Sequence, residues 1–150
     1  MADPLSAAGS AVGVISLGLT VCQGVLAYYG PFKAFHEQVD EVACRIAALD
    51  GILKALQHVL TDAHVLSASE TAPSAAVGID TILDCQEGLN KLRKMLEKCD
   101  KTKQAGSSIA PKKRIDRLSY PFRRETLKAL METTSWLQAN LDTSLQMLNM

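Results

Sequence analysis

Residues 9–31 read GSAVGVISLGLTVCQGVLAYYGP, a stretch without a single charged side chain. The uncharged run extends further, over Pro4–Phe32. Asp3-Pro4 provides an N-cap carboxylate followed by proline at the first helical position, and Gly30-Pro31 provides a C-terminal stop. We therefore predict one long helix that ends at about Tyr29.

At 100° per residue this helix has two stripes of large apolar residues and one stripe of small residues between them. The large stripes comprise Leu5, Val12, Ile15, Leu19, Cys22 and Leu26 on one side, and Val14, Leu17, Val21, Val25 and Tyr28 on the other. The small stripe comprises Ser6, Gly9, Gly13, Ser16 and Thr20. Because no face is charged, we expect the helix to be surrounded, either at the centre of a bundle or in a membrane.

The free energies leave two interpretations open. Burying its nine Leu, Ile and Val side chains gains on the order of 18 kcal/mol, so exposure to water is excluded. The helix is long enough to span a bilayer, but its glycines and hydroxyl residues make it a marginal inserter. Gly9 and Gly13 form a G-x-x-x-G motif, which permits close helix contact in protein or lipid. The helix is therefore either a permanent core helix or a core helix that can be released into a membrane.

Three more amphipathic helices follow, so we predict an all-α fold, a bundle of about four main helices around the hydrophobic N-terminal helix. Pro31 is predicted to open the second helix. The apolar positions of the three helices recur in steps of three and four. They are Phe35, Val39, Val42, Ile46, Leu49, Leu53, Leu56 and Leu60; then Ile79, Ile82, Cys85, Leu89, Leu92, Leu96 and Cys99; and, after Pro121, Leu127, Leu130, Thr134, Leu137, Leu141, Leu145 and Leu148.

The length of 150 residues suits a single domain, 1–150, with a substantial core. The last helix runs to Met150 without a cap, from which we expect the domain to be the N-terminal part of a longer protein. The formal charge of zero hides an asymmetry, because residues 91–128 carry thirteen basic and four acidic side chains. A basic segment on a neutral chain suits an anionic partner.

Six basic residues near the long connection form a candidate contact for anionic lipid headgroups, at about 1 kcal/mol per residue near the surface. They are Lys112, Lys113, Arg114, Arg117, Arg123 and Arg124. The alternative is that residues 112–117 form an ordinary solvated loop. Nucleic acid is not expected as a partner, because few base-stacking aromatics accompany the basic residues.

No catalytic, metal or cofactor site is recognisable, so we expect no enzyme, no cofactor and no small-molecule substrate. His36, His58 and His64 do not converge at ligand spacing, and no phosphate-binding loop or nucleophile elbow occurs. Each of the four cysteines is predicted to lie on the apolar face of a helix as a buried thiol in a reducing cytosol. Trp136 is expected at the edge of the core or as an interface anchor.

The two ends of the chain, MADPLSAAGSAVGVISLGLTVCQGVLAYYG and YPFRRETLKALMETTSWLQANLDTSLQML, resemble the HeLo-like N-terminal domain of fungal STAND proteins, which are NOD-like receptors. The resemblance covers nearly the whole chain. It implies an α-helical effector domain fused to a nucleotide-binding switch, and a likeness to HeLo domains and to the four-helix domain of mixed lineage kinase domain-like protein. Those relatives permeabilise membranes in programmed cell death, through an N-terminal helical segment that corresponds to Leu5–Tyr29 here.

The expected function is therefore membrane targeting and permeabilisation in programmed cell death and heterokaryon incompatibility, by a cytoplasmic domain that moves to the plasma membrane on activation. Self-association would release the first helix, and lipids would be its partner. The membrane-acting residues are expected to be Leu5, Gly9, Val12, Gly13, Ile15, Leu17, Leu19, Val21 and Leu26. The alternative is a protein–protein interaction or oligomerisation module, bound to a receptor or downstream protein, without membrane activity of its own.

Overall fold

Helices account for nearly all of the described chain, and no strand occurs within it. The structure, a computed structural model, describes residues 4–34, 36–61, 73–104 and 120–149. The helices of these ranges are α1 (Pro4–Tyr29), α2 (Glu37–Thr61), α3 (Pro73–Asp84), α4 (Gln86–Gln104) and α5 (Arg124–Leu148). Short 3-10 turns cover Gly30–Phe32 and Tyr120–Phe122. The prediction of an all-α bundle with an apolar N-terminal helix is confirmed.

The third predicted helix is one rod with a tight turn at Cys85, which separates α3 from α4. The Cys85 amide donates to the Ile82 carbonyl at 3.1 Å, and the Leu89 amide donates to the Cys85 carbonyl at 3.0 Å. The first bond joins residues three positions apart, as in a 3-10 helix, instead of four. The rod is therefore wound more tightly at Cys85 and then continues as an α-helix. We call α3 and α4 together the α3–α4 rod.

The bundle has four rods, and α1 lies between two of them. It packs against α2 and the α3–α4 rod, and α5 packs against the same two rods from the other side. Close contacts at Gly18 with Leu89 and at Gly24 with Leu96 show that α1 and α4 run in the same direction. Gly18 also contacts Leu53, on α2. The prediction of a central first helix therefore needs correction, because α1 occupies a corner of the bundle.

The apolar stripes predicted for the other helices form the core. All predicted positions that are described on α2 are buried, and so are those of the α3–α4 rod and α5, except that Leu96 and Leu145 are half-buried. Phe35 lies outside the described residues. The hydroxyl of buried Thr134 donates to the Leu130 carbonyl at 2.6 Å, so the polar group of this core position is satisfied.

The start of α2 differs from the prediction. Pro31 lies in the 3-10 turn Gly30–Phe32, and α2 begins at Glu37. The helical hydrogen bonding at Pro31 ends after one short turn, in which the Lys33 amide donates to the Gly30 carbonyl at 3.3 Å. The chain reverses between the end of α1 and Glu37, and α2 then packs against α1.

Candidate functional site

The candidate site is α1 together with the end of the bundle at which α1 terminates. One side of α1 is a buried spine that faces α2 and the α3–α4 rod. It consists of Ala11, Val14, Ile15, Val21, Cys22, Val25 and Tyr29, each at most 4% exposed. Val12, Leu17, Leu19, Leu26 and Tyr28 are half-buried and pack along its edges. The two large stripes of the sequence therefore converge on one interface.

The opposite side of α1 faces solvent. Its residues recur in alternating steps of four and three and are all exposed: Gly9, Gly13, Ser16, Thr20, Gln23 and Ala27. We call this set the outward stripe. It contains four members of the small-residue stripe that we expected to be enclosed, Gly9, Gly13, Ser16 and Thr20, so the expectation that α1 is surrounded on every side is wrong. The side chain of Ser6 lies outside the described residues. Small and uncharged polar side chains expose little apolar surface, so an uncharged helix can present this face to water at low cost.

The glycines of α1 have two distinct roles. A methyl group on Gly18 would lie 2.9 Å from Leu53 Cδ1, and one on Gly24 would lie 2.6 Å from Leu96 Cδ2. These two glycines therefore permit close approach of the neighbouring rods. Gly9 and Gly13 have open space around the same position. The G-x-x-x-G motif is consequently not used for packing within the bundle.

The structure divides the nine residues expected to act on membranes among three environments. Ile15 and Val21 lie in the buried spine, and Gly9 and Gly13 lie in the outward stripe. Val12, Leu17, Leu19 and Leu26 are half-buried between them. The side chain of Leu5 lies outside the described residues. The large apolar members of the set are therefore held by α2 and the α3–α4 rod.

Of the six basic residues, the structure places two. Arg123 and Arg124 are exposed at the start of α5, where Arg123 occupies the N-cap position in an extended conformation. Lys112, Lys113, Arg114 and Arg117 lie outside the described residues. Whether the six form one cluster therefore stays a prediction.

An aromatic cluster closes the end of the bundle at which α1 terminates, and sequence reasoning missed it. The Tyr29 hydroxyl donates to the Pro121 carbonyl at 2.8 Å. The Phe122 ring makes edge contacts with Tyr29 at 6.0 Å and with Phe32 at 4.9 Å between ring centroids. The cluster joins two segments that are about ninety residues apart in sequence. The only sequence signal is that each segment contains a proline followed by a phenylalanine, in G-P-F and in Y-P-F.

Asp50 is a buried carboxylate at the α1–α2 interface. Its Oδ2 lies 2.9 Å from Lys54 Nζ, whereas its buried Oδ1 has no hydrogen-bond partner among the described residues. Burial, together with the smaller effect of the nearby Asp50 carboxylate, raises the pKa of the Cys22 thiol on α1 to about 12. Cys22 is therefore a neutral, inert thiol at physiological pH.

The cysteines otherwise follow the prediction with one exception. Cys22, Cys85 and Cys99 are buried, and burial with the nearby Asp84 charge raises the pKa of Cys85 to about 11. Cys44 is exposed. It lies two positions before buried Ile46, about 200° around the helix, so its placement on the apolar face was wrong.

An open groove of about 980 Å³ separates α4 from α5. Its lining includes both signs of charge, in Glu87, Lys91, Lys94 and Glu132. Trp136 stands at its edge with 49% of its surface exposed, and its ring lies over Gly88. Trp136 is thus at the edge of the core and is available for contact. Within the described ranges, no group of three His, Cys, Asp or Glu residues could hold a metal ion.

One helical segment of the described chain, Gly9–Phe32, is long and apolar enough to cross a membrane by length and composition. Only 39% of its most apolar window is buried inside the bundle. The core helix of a soluble protein passes the same test, and so does a signal sequence near an N-terminus. Length and composition therefore identify α1 as the candidate, and its exposure distinguishes it from a fully enclosed core helix.

Comparison with known proteins gives one fungal relative. The chain is 27% identical over 141 residues to the azaphilone pigments biosynthesis cluster protein L of Monascus ruber. The similarity covers 92% of this chain but only 29% of the relative, so the chain spans less than a third of that protein. No family model matches the chain, and no solved structure matches it. The chain is thus similar to part of a larger fungal protein.

Proposed function

We propose that this domain is the membrane-acting effector of a longer fungal receptor of the NOD-like type, and that it acts in programmed cell death by releasing α1 into a lipid bilayer. The observation that carries the proposal is the uncharged segment Gly9–Phe32, which is long enough to span and is only partly covered in the bundle. The resting domain is cytoplasmic in this proposal. The resemblance of both chain ends to HeLo-like domains supports it, and the relative is compatible with a fungal origin and a longer protein.

The packing of α1 against its neighbours is consistent with its reversible release from the bundle. Its large side chains pack mainly against α2 and the α3–α4 rod, with Tyr29 also contacting Pro121 and Phe122, and lipid would replace the apolar contacts with an equally apolar environment. The outward stripe has no charge that would have to be desolvated during insertion. The cost of release therefore lies mainly in the surface that α1 leaves behind on its neighbours.

That uncovered surface couples release to self-association. Leu53 on α2 and Leu89 on α4 are fully buried beside Gly18, and they would meet water once α1 departs. Exposing each such side chain to water costs about 1.5–3 kcal/mol of free energy. Assembly of several domains would cover these surfaces again, so an oligomerising receptor would favour the released state.

The second candidate is an interaction module without membrane activity. It is favoured by the outward stripe, where Gly9 and Gly13 leave room for a second helix to approach closely. The groove beside Trp136 offers a further contact surface. This candidate predicts partner binding or self-association, and intact vesicles at every protein concentration.

A charge placed on the outward stripe separates the two candidates. Thr20 lies near the middle of the candidate span, is exposed, and donates its hydroxyl to the Ser16 carbonyl at 3.0 Å. Thr20→Asp leaves the buried spine untouched, but an Asp at the centre of a membrane helix costs about 3 kcal/mol, or about a hundredfold in the inserted population. We expect a large loss of dye leakage from vesicles of equimolar phosphatidylserine and phosphatidylcholine.

The matched control is Thr143→Asp on α5. Thr143 is also exposed and donates its hydroxyl four residues back, to the Ala139 carbonyl at 2.9 Å. The control should leak dye as the unaltered domain does, and circular dichroism should show both variants folded. Equal leakage from both variants would contradict insertion of α1, and no leakage from the unaltered domain, assembled or not, would favour the interaction module.

A further inference from the structure

The end of the bundle at which α1 terminates carries an exposed aromatic side chain, and basic residues follow it and its aromatic neighbour in the chain. Phe32 is 42% exposed, although it stacks edge-on against Phe122 at 4.9 Å. Exposed Lys33 follows Phe32 in the chain, and exposed Arg123 and Arg124 follow Phe122. The ring contact therefore brings three cations from two distant segments to one end of the bundle.

The charges of the described residues at the starts of α2 and α5 balance. Glu37 and Asp40 are exposed in the first turn of α2, and Glu125 is exposed in the first turn of α5. His36 lies beside the cluster, with its ring 6.3 Å from the Phe122 centroid. Among the described residues, the three cations are offset by three carboxylates, so the exposed ring has to supply most of the attraction to a bilayer.

The candidate span ends at this same place. Gly9–Phe32 finishes at Phe32, and Lys33 is the first charged residue after it. Aromatic rings followed by a basic residue are typical of the point at which a membrane helix leaves the hydrocarbon core for the headgroups. Tyr28 and Tyr29 add two more rings to this boundary, with their centroids 5.1 Å apart.

From these placements we propose that this end of the resting bundle is its docking face for a lipid bilayer, with the Phe32 ring inserted among the headgroups and Lys33, Arg123 and Arg124 on anionic lipids. The inference rests on the proposed function and adds an orientation to it. If α1 spans the membrane, residues after Phe32 stay on the side from which the domain came. Phe32 and Lys33 then occupy the same headgroup region before and after release, and the turn Gly30–Phe32 is the pivot.

The docking face can be tested with tryptophan fluorescence, because the chain contains one tryptophan, Trp136, at about the middle of α5. Twelve residues of helix, about 18 Å, separate Trp136 from the start of α5 at the docking end. The test protein carries Phe32→Trp together with Trp136→Phe, and the unaltered domain serves as the control. Both are mixed with vesicles of equimolar phosphatidylserine and phosphatidylcholine, with and without bromine-labelled acyl chains.

We expect emission from position 32 to shift to shorter wavelength and to be quenched by the brominated lipid, while Trp136 stays unchanged. Phe32→Ala should weaken vesicle binding about tenfold, the factor expected when the burial of one aromatic side chain is lost. Lys33→Glu should weaken binding to the anionic vesicles, whereas Arg93→Glu, at an exposed position of α4, should not. Circular dichroism confirms that each variant is folded.

The outcomes separate the docking face from the proposed function. Vesicle binding without any response at position 32, or no vesicle binding at all, overturns the docking face. Leakage that depends on α1 while position 32 stays silent leaves the effector function standing with a different docking surface. A lipid response at position 32 without leakage supports the docking face and contradicts permeabilisation.

Discussion

Asp50 places a carboxylate at the interface of α2 with α1, where its charge reaches the thiol of Cys22. Only 9% of the residue is exposed, and Oδ1 has no hydrogen-bond partner among the described residues. A buried acceptor without a partner costs about 1–3 kcal/mol, whereas the pair with Lys54, whose side chain is 62% exposed, contributes little. Asp50 is thus a weak point in the contact that holds α1.

Removing this carboxylate should stabilise the domain. Asp50→Ala is expected to raise the free energy of unfolding by about 1–2 kcal/mol, since it eliminates the unpartnered oxygen and creates only a small cavity. Urea unfolding followed by circular dichroism measures the change. Asp80→Ala, at an exposed position of α3, controls for the better helix propensity of alanine. A smaller gain at Asp50 than at Asp80 would show that Oδ1 is satisfied in solution.

At the scale of the element, α1 is an amphipathic helix without charges. Its two sides differ in side-chain size: large apolar residues face the bundle, and small residues face water. This arrangement explains how one helix can fit both a soluble bundle and a bilayer. It also assigns different roles to glycines that look equivalent in the sequence, since a methyl group on Gly18 would clash with Leu53, whereas one on Gly13 would meet nothing within 4 Å.

Alanine at these two glycines should therefore have different effects. Gly13→Ala is expected to stabilise the domain by about 0.5–1 kcal/mol, because alanine favours the helix and its methyl group enters open space. Gly18→Ala gains the same propensity but forces the fully buried Leu53 side chain to move, so its net stability should be lower than that of Gly13→Ala. Thermal unfolding of the two variants compares them directly, and equal melting temperatures would contradict the close approach at Gly18.

At the scale of the whole molecule, α1 is one of four rods, and its contacts with α2 and the α3–α4 rod complete the core. The other side of the bundle is held independently of it. Arg45 on α2 donates to the Ser135 hydroxyl on α5 at 2.6 Å, and Gly78 on α3 permits close contact with Leu148 on α5. The three remaining rods thus keep contacts with one another that do not involve α1. The apolar face that they share, however, is covered only when α1 is in place.

Deletion of residues 1–29 should leave a helical but self-associating protein. The deletion exposes the faces of Leu53 and Leu89, and large apolar patches on a soluble surface favour association. Light scattering after size exclusion should show oligomers, and a hydrophobic dye should bind more strongly than to the full domain. A monomer with unchanged dye binding would contradict the coupling between helix release and assembly.

The sequence by itself determined which segments are helical and which face of each amphipathic helix is buried, because steps of three and four define a stripe that depends only on helix geometry. The stripe of α2 from Val39 to Leu60 is buried as predicted for this reason. The tertiary structure alone decided that the small-residue face of α1 meets water, since the sequence of an uncharged helix is equally compatible with full enclosure and only the number of neighbouring rods sets its exposure. It alone also brought Phe32 to Phe122, because that contact depends on how two distant turns meet at one end of the bundle.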